Sequence, residues 1–157
     1  MKALVCGSFD PITFGHIDLI KRAASMFESV TVGIFINPDK KYLFSEEKRL
    51  QLVKEAIKDI PNARADISFG MVAHYCQING IGAIVKGVRN EKDFVYEAKM
   101  AEFNKRLAPD TETVLILASP ETAEISSTLV RELGASGGDL SALAPECVIH
   151  AIEEINC

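Results

Sequence analysis

Short apolar runs alternate along this chain with longer stretches in which apolar residues recur every three or four positions. Ala3 to Cys6 is the first run, and Gly7-Ser8 with Asp10-Pro11 ends it, which predicts a buried strand leaving into a loop. From His16 onward Ile17, Ile20, Ala24 and Phe27 mark one face of a helix, with Asp18, Lys21 and Arg22 on the other. Val30 to Ile36 is the second strand, broken by Asn37-Pro38-Asp39 and followed by a polar loop carrying Lys40 and Lys41. Ser45, followed by Glu46 and Glu47, combines a capping hydroxyl with carboxylates at the positive end of a helix dipole. That helix has a stripe of Leu50, Val53, Ile57 and Ile60 and stops at Pro61-Asn62.

Ala65 to Phe69 is a weaker third strand, and Met71 to Asn79 a short helix closed by Gly80. Ala83 to Val85 is a fourth strand, ending at Lys86-Gly87. Glu91 to Leu107 is helical, Thr113 to Ala118 is a fifth strand, and Ser119-Pro120 opens a loop that leads to a helix over Ser127 to Leu133. Gly134 to Asp139 reads as a linker, and Val148, Ile149, Ile152 and Ile155 give a terminal amphipathic helix. Strands that alternate with helices predict a parallel sheet covered on both faces, because parallel neighbours need a crossover. The expectation is a doubly wound, Rossmann-like α/β fold of about five strands. No repeat or internal boundary divides it, so residues 1–157 are expected to form one domain, with a C-terminal helical segment over about 140–157.

Composition narrows the classes without changing the fold. With 157 residues, 48% of them hydrophobic and 25% charged, the chain can hold a core without disulfides or a structural metal. A net charge of -5 argues against lying along nucleic acid phosphates. Cys6, Cys76, Cys147 and Cys157 show no metal-ligand spacing and are expected to be reduced thiols. The N-terminal apolar run is too short for a signal peptide, and no stretch approaches a membrane span, so a cytoplasmic protein with no membrane or nucleic acid partner is expected.

In such sheets ligands bind beyond the carboxyl ends of the strands. The residues expected there are Gly7-Ser8-Phe9-Asp10, the Lys40-Lys41 loop, Lys86-Gly87-Val88-Arg89, and Ser119 through Thr128. Basic groups converging at one edge of an acidic protein suggest a polyanion site, with phosphates the natural candidates. His16 stands in the first turn of a helix, where free N–H groups favour an anion. Neither a Walker A sequence nor a Gly-x-Gly-x-x-Gly fingerprint is present, which sets aside P-loop and dinucleotide chemistry. His74 and His150 have no motif around them and read as structural or surface groups.

Gly-Ser-Phe-Asp-Pro-x-Thr-x-Gly-His, from Gly7 to His16, resembles the signature of the nucleotidylyltransferase superfamily. Ile125-Ser126-Ser127-Thr128-Leu129-Val130-Arg131 resembles its second element, in which a helix start holds a triphosphate. Within the superfamily the chain is most similar to the phosphopantetheine adenylyltransferase family. Asn37-Pro38-Asp39-Lys40-Lys41, Gly87-Val88-Arg89 and Asp93-Phe94-Val95-Tyr96-Glu97 carry that likeness over essentially the whole length. The resemblance implies transfer of AMP from ATP, with Mg²⁺, to 4'-phosphopantetheine, by in-line attack without a covalent intermediate. It implies catalytic roles for His16, Lys40 and Arg89. It also implies an ATP site of Ser8, Phe9, His16, Gly87, Val88, Arg89, Glu97, Thr122, Ala123, Glu124, Ile125, Ser126, Ser127 and Thr128. Ser8, Lys40, Val72 and Lys86 would bind the acceptor, and Lys86 stands where the family generally has arginine. No residue is assigned as a metal ligand; Mg²⁺ would ride on the ATP phosphates. A homohexamer and feedback inhibition by CoA are further implications. A relative acting on nicotinate mononucleotide or glycerol phosphate, and a silent nucleotide-binding module, are the alternatives that the residues alone leave open.

Overall fold

β1 (Lys2–Gly7) is the middle strand of the sheet, and Ala3, Leu4 and Val5 in it are buried. The computed structural model describes residues 1–157. β2 (Ser29–Phe35) and β4 (Ala83–Val88) flank β1, β3 (Ala63–Ser68) lies outside β2, and β5 (Glu112–Leu117) lies outside β4. The order is β3-β2-β1-β4-β5 and every pair is parallel. The expected doubly wound α/β fold is therefore present.

Side chains alternate across the pleat, so one face of the central strands carries Ala3, Val5, Ala83 and Val85, and the other carries Leu4 and Ile84. The first face joins the main core with Ile17 and Ile20 of α1 (Phe14–Met26), Leu52 and Val53 of α2 (Glu46–Ala56), Val130 of α5 (Ser127–Ala135), and Val148 and Ile152 of α6 (Glu146–Asn156). The second face packs a smaller cluster against Cys76 of α3 (Val72–Asn79), which Gly80 closes in the left-handed region at φ 64°. α4 (Glu91–Leu107) buries none of its residues fully. All four cysteines are unpaired thiols.

The register shows where the sheet opens. β1 pairs with β2 through Gly7, and β4 pairs with β5 through Val88. Between β1 and β4 the pairing stops at Val5 opposite Val85. The chain winds outward in one direction after β1 and in the other after β4, so this splayed gap is the topological switch point where such sheets bind ligands.

Several boundaries differ from the sequence reading. β4 continues through Lys86, Gly87 and Val88, because β5 pairs with it residue by residue to that point; these three lie on the strand and not in a loop after it. α2 ends at Ala56, and Ile57 and Ile60 are buried just beyond it. α5 runs on through Gly134, expected in a linker. The reason is helix packing: a Cβ on Gly134 would stand 2.9 Å from Cγ2 of Ile152, so the missing side chain lets α5 and α6 approach. Asp18 and Arg22, placed on a solvent face, line a cleft instead.

Candidate active site

α1 begins with a reciprocal capping box. Thr13, its N-cap, accepts from the His16 N–H through Oγ1 at 3.4 Å, and the Thr13 N–H donates to His16 Nδ1 at 3.0 Å. An Nδ1 that accepts leaves the neutral imidazole proton on Nε2. Burial, with the Arg89 and Lys86 charges adding to it, pulls the His16 pKa down to about 4. His16 is thus a neutral N–H donor at physiological pH.

The splay between β1 and β4 opens into a cleft of about 290 Å³. Thr13, Gly15 and His16 form one wall, Lys86, Gly87 and Arg89 another, and Thr122, Ile125, Ser126 and Ser127 a third. Its charges are paired. Glu97 Oε1 lies 3.3 Å from Lys86 Nζ, and Asp93 Oδ2 accepts from Arg89 Nε at 2.9 Å, which holds the Asp93 carboxyl below its usual range. Asp93 and Glu97 are four apart on α4 and so share a face. Two carboxylates of one helix thereby hold two cations of β4 and its exit.

A second cavity, of about 210 Å³, abuts the first. Ser8, Cys6, Val72, Phe35 and Met100 line it, and Lys86 and Glu97 belong to both cavities. The Lys86–Glu97 pair is the shared wall between a polar cleft and a more apolar one.

The expected site residues fall into three groups. His16, Lys86, Gly87, Arg89, Glu97, Thr122, Ile125, Ser126 and Ser127 meet in the first cleft, and Ser8, Val72, Lys86 and Glu97 in the second. Phe9, Val88, Lys40, Ala123, Glu124 and Thr128 line neither. Phe9 and Val88 are buried. Lys40 is exposed, 5.8 Å from the Tyr42 ring, and its loop is anchored by Asp10, whose carboxylate accepts from the N–H groups of Leu43 and Phe44.

The hydroxyls of the second motif are committed to structure. Ser126 Oγ caps α5 by accepting from Leu129 N–H, Ser127 Oγ donates to Pro11 O at 2.8 Å, and Thr128 Oγ1 accepts from Arg131. Arg131 also donates to Asp10 O at 2.7 Å, which ties α5 to the loop after β1. The motif's capacity for anions thus rests on the free N–H groups of Ser127 and Thr128 in the first turn of α5.

Sequence reasoning missed the cleft residues Asp18, Arg22 and Asp93. Ser119 Oγ donates to Asp18 Oδ2 at 2.8 Å, and Arg22 Nη1 donates to Leu117 O at 2.8 Å, fastening the end of β5 to α1. The signal was present: Gly15, Asp18, Leu19 and Arg22 follow the spacing of one helical stripe, continuing from the motif glycine.

The cytidylyltransferase-like family model matches residues 4–133, most of the chain and both motif segments. The phosphopantetheine adenylyltransferase of Caldanaerobacter subterraneus subsp. tengcongensis is 43% identical over 152 residues, covering 97% of this chain and 95% of its own. That of Leuconostoc citreum is 44% identical over 153 residues, covering 97% and 96%. That of Frankia casuarinae is 42% identical over 159 residues, covering 98% of each. With the splayed β1–β4 gap, the capped His16 and this full-length likeness together, the chain belongs to the phosphopantetheine adenylyltransferases of the cytidylyltransferase-like family.

Proposed function

We propose that this enzyme transfers AMP from ATP to the phosphate of 4'-phosphopantetheine, giving dephospho-CoA and pyrophosphate. The observation that carries the reading is the Lys86–Glu97 pair, common to the cleft containing His16 and to the more apolar cavity containing Ser8 and Val72. A phosphate held at Lys86 and Ser8 would have its pantetheine arm beside Val72 and stand next to an α-phosphate at His16.

The attacking phosphate oxygen is ionised near neutral pH, so the protein needs to supply position and charge stabilisation more than a base. His16 donates Nε2–H to an α-phosphate oxygen as charge builds there. Arg89 leaves Asp93 to contact the outer phosphates, with the Ser127 and Thr128 N–H groups at the start of α5. Gly87, Val88, Thr122, Ala123, Glu124, Ile125 and Ser126 surround the nucleotide, and Glu97 accepts from its nucleoside portion. Lys40 comes in from its loop onto the acceptor phosphate. The cleft carboxylates Asp18, Asp93 and Glu97 already have cationic or hydroxyl partners. These carboxylates are therefore not free to form a metal cage, and Mg²⁺ carried on the ATP phosphates would supply charge neutralisation there.

CoA contains both a phosphopantetheine and an adenylate portion, so it would compete for the two cavities as a feedback inhibitor. α4 exposes Phe94, Val95, Tyr96 and Phe103 on a helix with no fully buried residue. Such an apolar surface supports self-association, and the homohexamer is the assembly that the family resemblance implies. No helix is long and apolar enough to cross a membrane, which fits the cytoplasmic location proposed here.

The test is pyrophosphate release from ATP and Mg²⁺ with 4'-phosphopantetheine, beside nicotinate mononucleotide, glycerol phosphate and no acceptor. Release with phosphopantetheine alone, with a product of dephospho-CoA mass, is expected. Release only with another acceptor would overturn the assignment.

A further inference from the structure

Arg49 is fully buried on α2, beside Leu52 and Val53. It forms no ion pair with any carboxylate, and its Nε has no partner at all. Burying a charge in this way is unfavourable, and an apolar side chain of similar volume is generally as stable or more so. Stability alone gives no reason for an arginine here.

Its two contacts indicate another reason. Nη1 donates to Ser8 O at 2.9 Å, and the guanidinium lies 3.9 Å from the centre of the Tyr42 ring. The Ser8 carbonyl belongs to the same planar, trans peptide as the Phe9 N–H, so that N–H points away from Arg49. The Phe9 N–H has no partner within the protein. Phe9 is also held at φ 48°, an unfavourable region for a residue with a side chain, and its buried ring lies 5.0 Å from the His16 ring. An unpaired buried cation, an unpaired N–H and a strained residue all meet on one peptide beside the catalytic histidine.

We propose that Arg49 is a positioning residue for AMP transfer: its grip on the Ser8 carbonyl fixes and polarises the Ser8–Phe9 peptide, whose N–H serves as an anion donor to the reacting phosphates. The inference rests on the function proposed above. A cation on the carbonyl strengthens the N–H of the same peptide, and the effect grows as negative charge develops on the group it faces. The same guanidinium stacks on Tyr42, whose hydroxyl accepts the Asn37 N–H at 2.9 Å. One buried side chain thereby registers the loop after β1 against the loop that carries Lys40.

The test compares Arg49→Lys with Arg49→Gln. Both can donate to Ser8 O, and only lysine keeps the charge. Lysine is expected to retain turnover within about threefold, while glutamine lowers kcat by about tenfold or more and leaves KM for ATP within about threefold. The melting temperature of Arg49→Gln should be no lower than that of Arg49→Lys, since the uncompensated charge is gone. Equal turnover in the two variants, or losses that follow the melting temperature, would overturn the proposal. Should neither variant fold, the wild-type chain gives the answer through the Phe9 amide proton. It should move downfield on adding pyrophosphate with Mg²⁺, and a resonance that stays fixed while other cleft amides shift would overturn the proposal. An active wild-type enzyme with indistinguishable variants removes this inference alone, whereas an inactive wild type removes the proposed function and the inference with it.

Discussion

The Thr13 N–H donates to His16 Nδ1 across 3.0 Å, so a helix cap sets the tautomer of the His16 ring. The same interaction that starts α1 leaves Nε2–H as the group His16 can offer to a phosphate. Folding and chemistry therefore share one hydrogen bond, and the Thr-x-Gly-His spacing follows from the geometry of a capping box between N-cap and N3.

His16 stays neutral well below the pH at which a free histidine charges. Its folded pKa of about 4 lies below the unfolded value of 6.5, so between these values the unfolded chain binds the proton and the folded one does not. The associated stability is complete above about 6.5 and is lost as pH falls through about 4, by about 3 kcal/mol in total. Urea denaturation at several pH values, compared between wild type and His16→Gln, should show that increment in the wild type alone. Identical pH slopes would mean that His16 titrates normally in the folded chain.

Removing the positive side of the shared wall should weaken the acceptor selectively. In Lys86→Met the Glu97 carboxylate loses its 3.3 Å partner, and under the proposed function the acceptor phosphate would lose a charged donor. KM for phosphopantetheine is expected to rise about tenfold or more, the worth of one charge-assisted hydrogen bond, with KM for ATP within about threefold. Steady-state kinetics with each substrate varied in turn decides it; equal increases would place Lys86 on ATP as much as on the acceptor.

Gly134→Ala separates helix propensity from packing. In an exposed helix the change would stabilise by about 1 kcal/mol. Here the new methyl would meet Ile152 Cγ2 at 2.9 Å and Leu140 Cδ1 at 3.4 Å, so a net loss of about 1 to 2 kcal/mol is expected. Chemical denaturation measures it, and a gain in stability would show that α5 and α6 can part without cost.

Much of the fold was legible because strand and helix periods differ and each β1-to-β5 run is bounded by turn residues. The site was legible where local motifs coincide with structure, as at Thr13 through His16. It was not legible where function depends on pairing across the fold. Arg22 reads as solvent-facing until the end of β5 supplies Leu117 O. Arg49 defied the pattern outright, because a charged residue on a helix is expected outside. The Gly134 boundary failed for a related reason: a glycine that reads as a break serves a close helix crossing visible only once α6 is in place.

Electrostatic stabilisation by the neutral His16 donor is the centre of this account, and His16→Ala tests it most directly. Turnover and the ATP dissociation constant should be measured on the same folded variant. Turnover is expected to fall by about a hundredfold or more, as for loss of one oxyanion donor, while ATP affinity stays within about threefold. Turnover within tenfold of wild type, or an affinity loss as large as the loss of rate, would contradict it and make His16 a residue of binding or folding instead.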